Sequence, residues 1–173
     1  PIGDYYNGGG GPNYGITFSS KALAICLVSA TQPTPQSICS NGSRGGLGDP
    51  TSQNGGLFFL EGGQTLMNGS NGFTTGFSFF YTAVSNTGGF SVWSGLDGTG
   101  TLLASVDLPL TSNGASDPNC FGTGFCPFFP VGVNFWVTSY SVTLVGCGEQ
   151  IAFDYVTFGS PSPGQIGPRP ARL

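Results

Sequence analysis

Alternation of apolar and polar residues with a period of two is the feature that most restricts what this chain can fold into. In FTTGFSFFYTAV, the odd-numbered residues from Phe73 to Ala83 are mostly aromatic, and the residues between them are mostly small or polar. This pattern is typical of an antiparallel strand with one buried face, and helical periodicity is absent. The same test predicts strands in GITFS, ALAICLV, GLFFL, FSVWSGL, TLLASVDLPL, VGVNFWV, YSVTLVG and IAFDYVTFG.

The connections between these segments are too short for crossover helices. Asn-Gly occurs at 54, 68, 71 and 113 and Asp-Gly at 97, and such dipeptides are predicted to close tight hairpins. We therefore predict an all-β fold, an antiparallel jelly-roll-like β-sandwich of about nine strands with an N-terminal extended arm. The predicted divisions are residues 1–12 for the arm and glycine leash, 13–160 for the sandwich and 161–173 for a proline-rich tail.

The composition excludes several classes of function. The 173 residues include 4 basic and 8 acidic side chains and no histidine, with a formal net charge of −4. Without a basic cluster, nucleic acid is not an expected partner, and no apolar run reaches the roughly 20 residues of a membrane span. Absence of histidine rules out Ser-His-Asp and Cys-His catalysis, and most acids lie in turn-like contexts. We predict a protein that is not an enzyme.

Five cysteines without metal-binding spacing favour disulfides in an oxidising, extracellular location. Cys120 and Cys126 can meet across the loop CFGTGFC, and Cys26 can pair with Cys39 within the long polar loop that follows it. Connectivity cannot be deduced from spacing alone. Cys147 is then left over, either as a small buried apolar residue or as one half of an intermolecular bridge.

Two further kinds of site are suggested by single residues. Asp154 interrupts the alternating strand IAFDYVTFG, where a buried carboxylate needs compensation. A structural calcium ion would supply it, and so would a hydrogen-bonded turn or a strand-edge position; no other cofactor is predicted. Asn41 and Asn68 fit the glycosylation sequon, although each is also a good turn residue.

Both tryptophans fall out of phase with the apolar residues around them. Trp93 opposes Phe90 and Val92, and Trp136 opposes the row from Val131 to Val137. Both indoles are therefore expected outside the main core, where they could stack on sugar rings, pack on a neighbouring subunit or lie under the long loop. Together with Tyr140, they are the predicted ligand-binding aromatics.

Several stretches of the chain resemble the extracellular domains of bacterial PEP-CTERM proteins. The resemblance rests on GPNYGITFSSKALAI, LFFLEGGQTLMNGSNGFTTGFSFFYTA, VWSGLDGTGTLLA and IAFDYVTFGS, and it covers residues 4 to 160. It implies an exported bacterial protein associated with exopolysaccharide or with a biofilm or floc matrix, and it does not imply an enzyme. The closing strand has Phe153-Asp154-Tyr155 where the family often has Phe-Asp-Asn, and the sorting tail of the family is missing.

The N-terminal arm suggests how such a protein would assemble. Ile2, Tyr5 and Tyr6 precede a run of glycines that can span roughly 20 Å when extended. If the arm completes the sheet of a neighbouring copy, the contact is head-to-tail and generates a fibre. The alternatives are an arm folded back on its own sheet and a secreted carbohydrate-binding module that uses its exposed aromatic side chains.

Overall fold

A computed structural model describes residues 1–28, 42–44, 55–111, 127–146, 148 and 150–164. These residues form nine strands, which confirms the all-β prediction. The strands are β1 (Ile16–Phe18), β2 (Leu23–Val28), β3 (Gly42–Arg44), β4 (Gly55–Phe58), β5 (Gln64–Ala83), β6 (Gly88–Trp93), β7 (Leu102–Leu108), β8 (Phe129–Val145) and β9 (Ile151–Phe158). A 3-10 turn, Leu96–Gly98, lies between β6 and β7.

Backbone hydrogen bonds join the strands in the order β3-β2-β4-β9-β5-β8-β6-β7, and β1 pairs with β5. Every pairing is antiparallel, as predicted, except that of β2 with β3. The two long strands, β5 and β8, pair with each other along most of their length.

The hydrogen-bonded sheet is folded into two layers, because β5 and β8 each pass from one layer to the other. The second half of β5 pairs with β9 and the start of β8, and these strands form the first layer with β2, β3 and β4. The first half of β5 pairs with β1 and the end of β8, and these strands form the second layer with β6 and β7. The β5–β8 register shifts between Asn68 and Thr75, at the bend. Strands that change layers through bulges or bends are the usual corners of a β-sandwich.

The inner surfaces of the two layers meet in an aromatic core. The rings of Phe79 in β5 and Phe90 in β6 lie 5.0 Å apart, although β6 pairs only with β7 and with the far end of β8. Phe77 also contacts Phe90, with ring centroids 5.8 Å apart. These contacts cross the interior, so they establish the sandwich that the alternation predicted.

The bend corrects two of the predicted hairpins. Asn68-Gly69 and Asn71-Gly72 lie inside β5, where Gly72 has φ 67° and lets the strand turn between layers. Thr75 follows with φ 77°, a conformation that is strained for a β-branched residue. Asp97-Gly98 forms the predicted turn, with φ values of 57° and 69°. The segments VGVNFWV and YSVTLVG, predicted as two strands, are joined in β8.

The N-terminal segment is not extended: it folds back onto its own domain. The amide of Ile2 donates to the carbonyl of Ala22 at 2.9 Å, and the amide of Phe18 donates to the carbonyl of Gly3 at 2.8 Å. The side chains of Ile2 and Tyr6 pack against the main core, while Tyr5 is 46% exposed. The fold-back alternative is therefore the arrangement in the structure, and donation of the arm to a neighbour stays a prediction that these contacts do not support.

The glycine run forms a closed turn in place of the expected leash. Gly9 donates to the carbonyl of Asp4, and Gly11 donates to the carbonyl of Tyr5. A methyl group at Gly11 would overlap the ring of Tyr5, and one at Gly9 would overlap the carboxyl group of Asp4. Glycine is needed here because the turn lies directly on the side chains that precede it.

The start of the proline-rich tail is packed on the first layer. Ser78 donates a buried hydrogen bond of 2.9 Å to the carbonyl of Ser160. The backbone of Ser160 and Pro161 lies so close to Gly76 and Gly132 that a Cβ at either glycine would overlap it. Residues 165–173 lie outside the described residues.

We expect Phe79→Ala to destabilise the protein strongly, because Phe79 is fully buried where the two layers meet. Loss of such a side chain costs about 3–5 kcal/mol in the free energy of unfolding. Phe129→Ala is the matched control, since Phe129 is 47% exposed, and it should cost about 1 kcal/mol or less. Urea unfolding measures both values, and equal effects would contradict the two-layer core.

We expect deletion of residues 1–6 to lower the free energy of unfolding by roughly 2 kcal/mol or more, because it exposes the surface that Ile2 and Tyr6 cover. The oligomeric state should not change. Thermal unfolding and light scattering coupled to size exclusion measure the two quantities, and Pro1→Ala, at an exposed residue, is the control. Polymers that the full chain forms and the deletion variant lacks would instead support exchange of the arm.

Candidate functional site

The outer surface of the second layer carries an ordered set of polar side chains around one indole. Because Met67, Val142, Leu144, Phe90 and Val92 point into the core, the residues that alternate with them point outwards. We call this surface the Trp93 face. It comprises Leu66, Asn68, Ser91, Trp93, Ser105 and Thr143, together with Ser141, whose side chain is fully buried beneath the 3-10 turn.

Two rows of this face run across the strands. Leu66 pairs with Thr143, which pairs with Ser91, which pairs with Ser105. In the neighbouring row, Asn68 and Ser141 are followed by Trp93. Adjacent strands are roughly 4.8 Å apart, so the four-strand row extends over about 14 Å.

Two hydrogen bonds fix the position of Trp93 at the end of β6. Its indole Nε1 donates to Thr143 Oγ1 at 3.1 Å, and its backbone carbonyl accepts from Ser139 Oγ at 3.0 Å. Phe90 and Val92 are buried on the other side of β6, so the prediction that Trp93 lies outside the main core is confirmed. A half-buried indole with its N–H satisfied cannot rotate freely, so the ring of Trp93 has a defined orientation.

The 3-10 turn is clasped to the same face. Asn68 Nδ2 donates to Asp97 Oδ1 at 2.7 Å, and the Asp97 amide donates back to Asn68 Oδ1 at 2.9 Å. Ser141 Oγ accepts from the Gly98 amide at 3.0 Å and donates to the Gly95 carbonyl at 2.6 Å. These bonds hold Asp97 in its left-handed conformation and place its carboxylate at the edge of the face.

Asn68 and Asp97 were not predicted as a pair. They are 29 positions apart, and each alone is typical of a turn. The sequence feature that could have placed Asn68 on this face is the alternation, in β5 and β8, of hydroxyl or amide residues with buried ones. Glycosylation of Asn68 stays a prediction, and it would require Nδ2, the atom that donates to Asp97.

Trp136 and Tyr140 lie at the bend of β8. Trp136 is 85% exposed while its neighbour Phe135 is buried, which confirms that this indole is outside the core. Val137 was expected on the buried side but is 58% exposed, because the pairing of β8 with β5 shifts register after Phe135. The ring of Tyr140 lies over Gly72, whose Cβ would stand 3.1 Å from Tyr140 Cε1. The three predicted aromatics are thus divided between the Trp93 face and the bend.

Asp154 is buried within β9, where it pairs with Phe80 of β5 at a shift in register, so it does not lie in the turn or at the strand edge that were the alternatives to calcium. Asp154 Oδ1 accepts from the amide of Tyr155 at 2.6 Å, and Tyr155 has φ 55°. Burial raises the pKa of the Tyr6 hydroxyl, and electrostatic interactions with Tyr5, Tyr14 and the carboxyl group of Asp154 raise it further. Asp154 therefore interacts electrostatically with the folded arm. No group of three or more His, Cys, Asp or Glu side chains suited to a metal occurs among the described residues, and calcium stays a prediction.

The remaining predicted sites cannot be placed. Cys39, Cys120, Cys126, Cys147 and Asn41 lie outside the described residues. Of Cys26, only its backbone position in β2 is described. The disulfide predictions are therefore untested. No helix within the described ranges is long and apolar enough to cross a membrane.

Comparison with known proteins gives no family assignment. No family model and no curated protein matches the chain. Among solved structures, a family 6 carbohydrate-binding module analysed for its binding sub-sites is 20% identical over 83% of this chain and 86% of its own, with a TM-score of 0.44.

Two other structures of this kind are similar at the same level. CsCBM6-3 from Clostridium stercorarium, in complex with cellobiose, is 17% identical over 64% of this chain and 77% of its own, with a TM-score of 0.41. A β-1,3-glucan-binding CBM6 from Bacillus halodurans is 17% identical over 66% of this chain and 83% of its own, with a TM-score of 0.43. At these TM-scores the likeness does not bear on what this chain binds.

Proposed function

We propose that this protein is a non-catalytic extracellular module that binds polysaccharide through the Trp93 face. The observation that carries the proposal is the indole of Trp93, oriented by Thr143 and surrounded by side-chain hydroxyl and amide groups on a β-sheet surface. An aromatic ring offers an apolar surface to the C–H face of a sugar, and the polar groups around it can exchange hydrogen bonds with sugar hydroxyls.

The rigidity of the face favours binding. Ser91 and Ser105 hydroxyls lie 3.2 Å apart, and Ser141 links the sheet to the 3-10 turn. Side chains that are already ordered lose little conformational entropy when a ligand arrives. The row across four strands, about 14 Å long, offers contacts to several consecutive sugar units.

A polysaccharide partner also agrees with the matrix association that the resemblance to PEP-CTERM proteins implies. The self-assembling fibre is not carried forward as the proposed function, because Ile2 and Tyr6, two of the three side chains that motivated it, pack on their own domain. Location outside the cell and association with exopolysaccharide are parts of the same proposal.

We expect Trp93→Ala to weaken polysaccharide binding at least about tenfold, which corresponds to about 1.4 kcal/mol, because it removes the central aromatic surface. Trp93→Phe should retain part of the affinity. Affinity gel electrophoresis against a panel of neutral and anionic polysaccharides, followed by calorimetry on those that retard the protein, measures the effect.

Trp136→Ala is the matched control, since it removes a more exposed indole from the bend and not from the face. Its affinity should stay within about threefold of the parent value, which is within about 0.7 kcal/mol. Thermal unfolding of each variant verifies that the fold is retained. If Trp136→Ala lost binding while Trp93→Ala kept it, the site would lie at the bend. If the parent protein bound no polysaccharide of the panel, the proposed function would be refuted.

A further inference from the structure

The part of the chain that builds the Trp93 face contains no cationic side chains. No Lys, Arg or His occurs between Arg44 and Arg169, so β4 to β9 and all the connections between them contain none. This is a property of the sequence and holds for every residue of that range. The face therefore cannot offer a cationic side chain of its own to a carboxylate or sulfate group on a ligand.

The remaining cations are distant or outside the described residues. Lys21 lies beside Gly62, which precedes Leu66 by four residues and Asn68 by six, or roughly 13 and 20 Å of mostly extended chain. At physiological ionic strength, where the Debye length is about 8 Å, the charge of Lys21 is largely screened at Asn68. At roughly 10 mM, where the Debye length is about 30 Å, Lys21 would attract anions weakly and so could only reduce the discrimination that we expect. Arg44 is in β3, at the opposite end of the strand order from β7, and Arg169 and Arg172 lie outside the described residues.

The charges at the face are negative. Asp97 is exposed and clasped over the sheet by Asn68, and Asp107 is exposed on β7 opposite Gly89. In the described part of the chain, the bonds of Asp97 are those with Asn68, which leave its Oδ2 without a donor. A carboxylate oxygen held in this way is a strong acceptor for a sugar hydroxyl.

We infer that the Trp93 face takes an uncharged polysaccharide, and that Asp97 determines this specificity by accepting ligand hydroxyl groups and repelling anionic chains. The inference rests on the proposed function and adds the class of ligand to it. A carboxylate or sulfate group near Asp97 would face like charge with no cation to offset it, whereas a neutral sugar gains a charge-assisted hydrogen bond.

Matched pairs of polysaccharides with one backbone test the ligand class: hydroxyethyl cellulose against carboxymethyl cellulose, and dextran against dextran sulfate. The panel member that binds the full chain most tightly is added, together with its carboxymethylated derivative. At roughly 10 mM ionic strength, where screening is weak, we expect the neutral member to bind at least about tenfold more tightly than the anionic one. The difference should narrow as sodium chloride is added.

Asp97→Asn tests the role of the carboxylate, because the amide oxygen can still accept from Asn68 Nδ2. We expect about tenfold weaker binding of the neutral polysaccharide together with a smaller discrimination against its anionic counterpart. Asp107→Asn is the control for charge alone: it should reduce discrimination while changing the affinity for the neutral polysaccharide less than about twofold, because Asp107 is not held at the Trp93 indole.

Equal or tighter binding of the anionic members would overturn the inference while leaving polysaccharide binding intact, provided that Trp93→Ala abolishes it. If Asp97→Asn bound the neutral polysaccharide as tightly as the parent protein does, Asp97 would not determine the specificity. Absence of binding to every neutral and anionic polysaccharide would refute the proposed function itself.

Discussion

The pairing of β5 with β8 in both layers is the constraint on which the rest of the structure depends. Each strand is long enough to contribute to both layers, and their joint bend turns one hydrogen-bonded sheet into a sandwich. Because the two strands are paired on both sides of the bend, the inner faces of the two layers are brought together. Phe77 and Phe79 then reach Phe90 across the core.

The same bend determines what the outside of the protein offers. On the second layer, regular pairing of β5, β8, β6 and β7 places hydroxyl and amide side chains in rows around Trp93. At the bend itself, regular pairing stops, and Trp136 and Val137 are both left exposed. Hydrogen bonds therefore order the side chains of the Trp93 face, whereas the exposed side chains at the bend lack such order. For this reason we propose that the binding site is the Trp93 face.

Packing and hydrogen bonds, and not ion pairs, hold both the Trp93 face and the N-terminal arm in place. The Trp93 face uses neutral groups that bond to one another, with a single clasped carboxylate from Asp97. At the N terminus, the glycine turn packs against Asp4 and Tyr5, and the side chains of Ile2 and Tyr6 pack against the core. Both regions are held by short-range packing and hydrogen bonding, which depend little on ion pairs.

The sequence by itself determined the all-β class, the positions of most strands and the outward direction of both indoles, because alternation with a period of two assigns each side chain to a face. It also determined the absence of cations from β4 to β9. Only the tertiary structure decided that Asn68-Gly69 and Asn71-Gly72 lie within a strand, since β5 pairs with β1 and β8 before the bend and with β8 and β9 after it, although the local sequence favours a turn. It likewise decided that Asn68 meets Asp97 and that the arm folds back, because both depend on contacts between residues far apart in the chain, for which local spacing carries no signal.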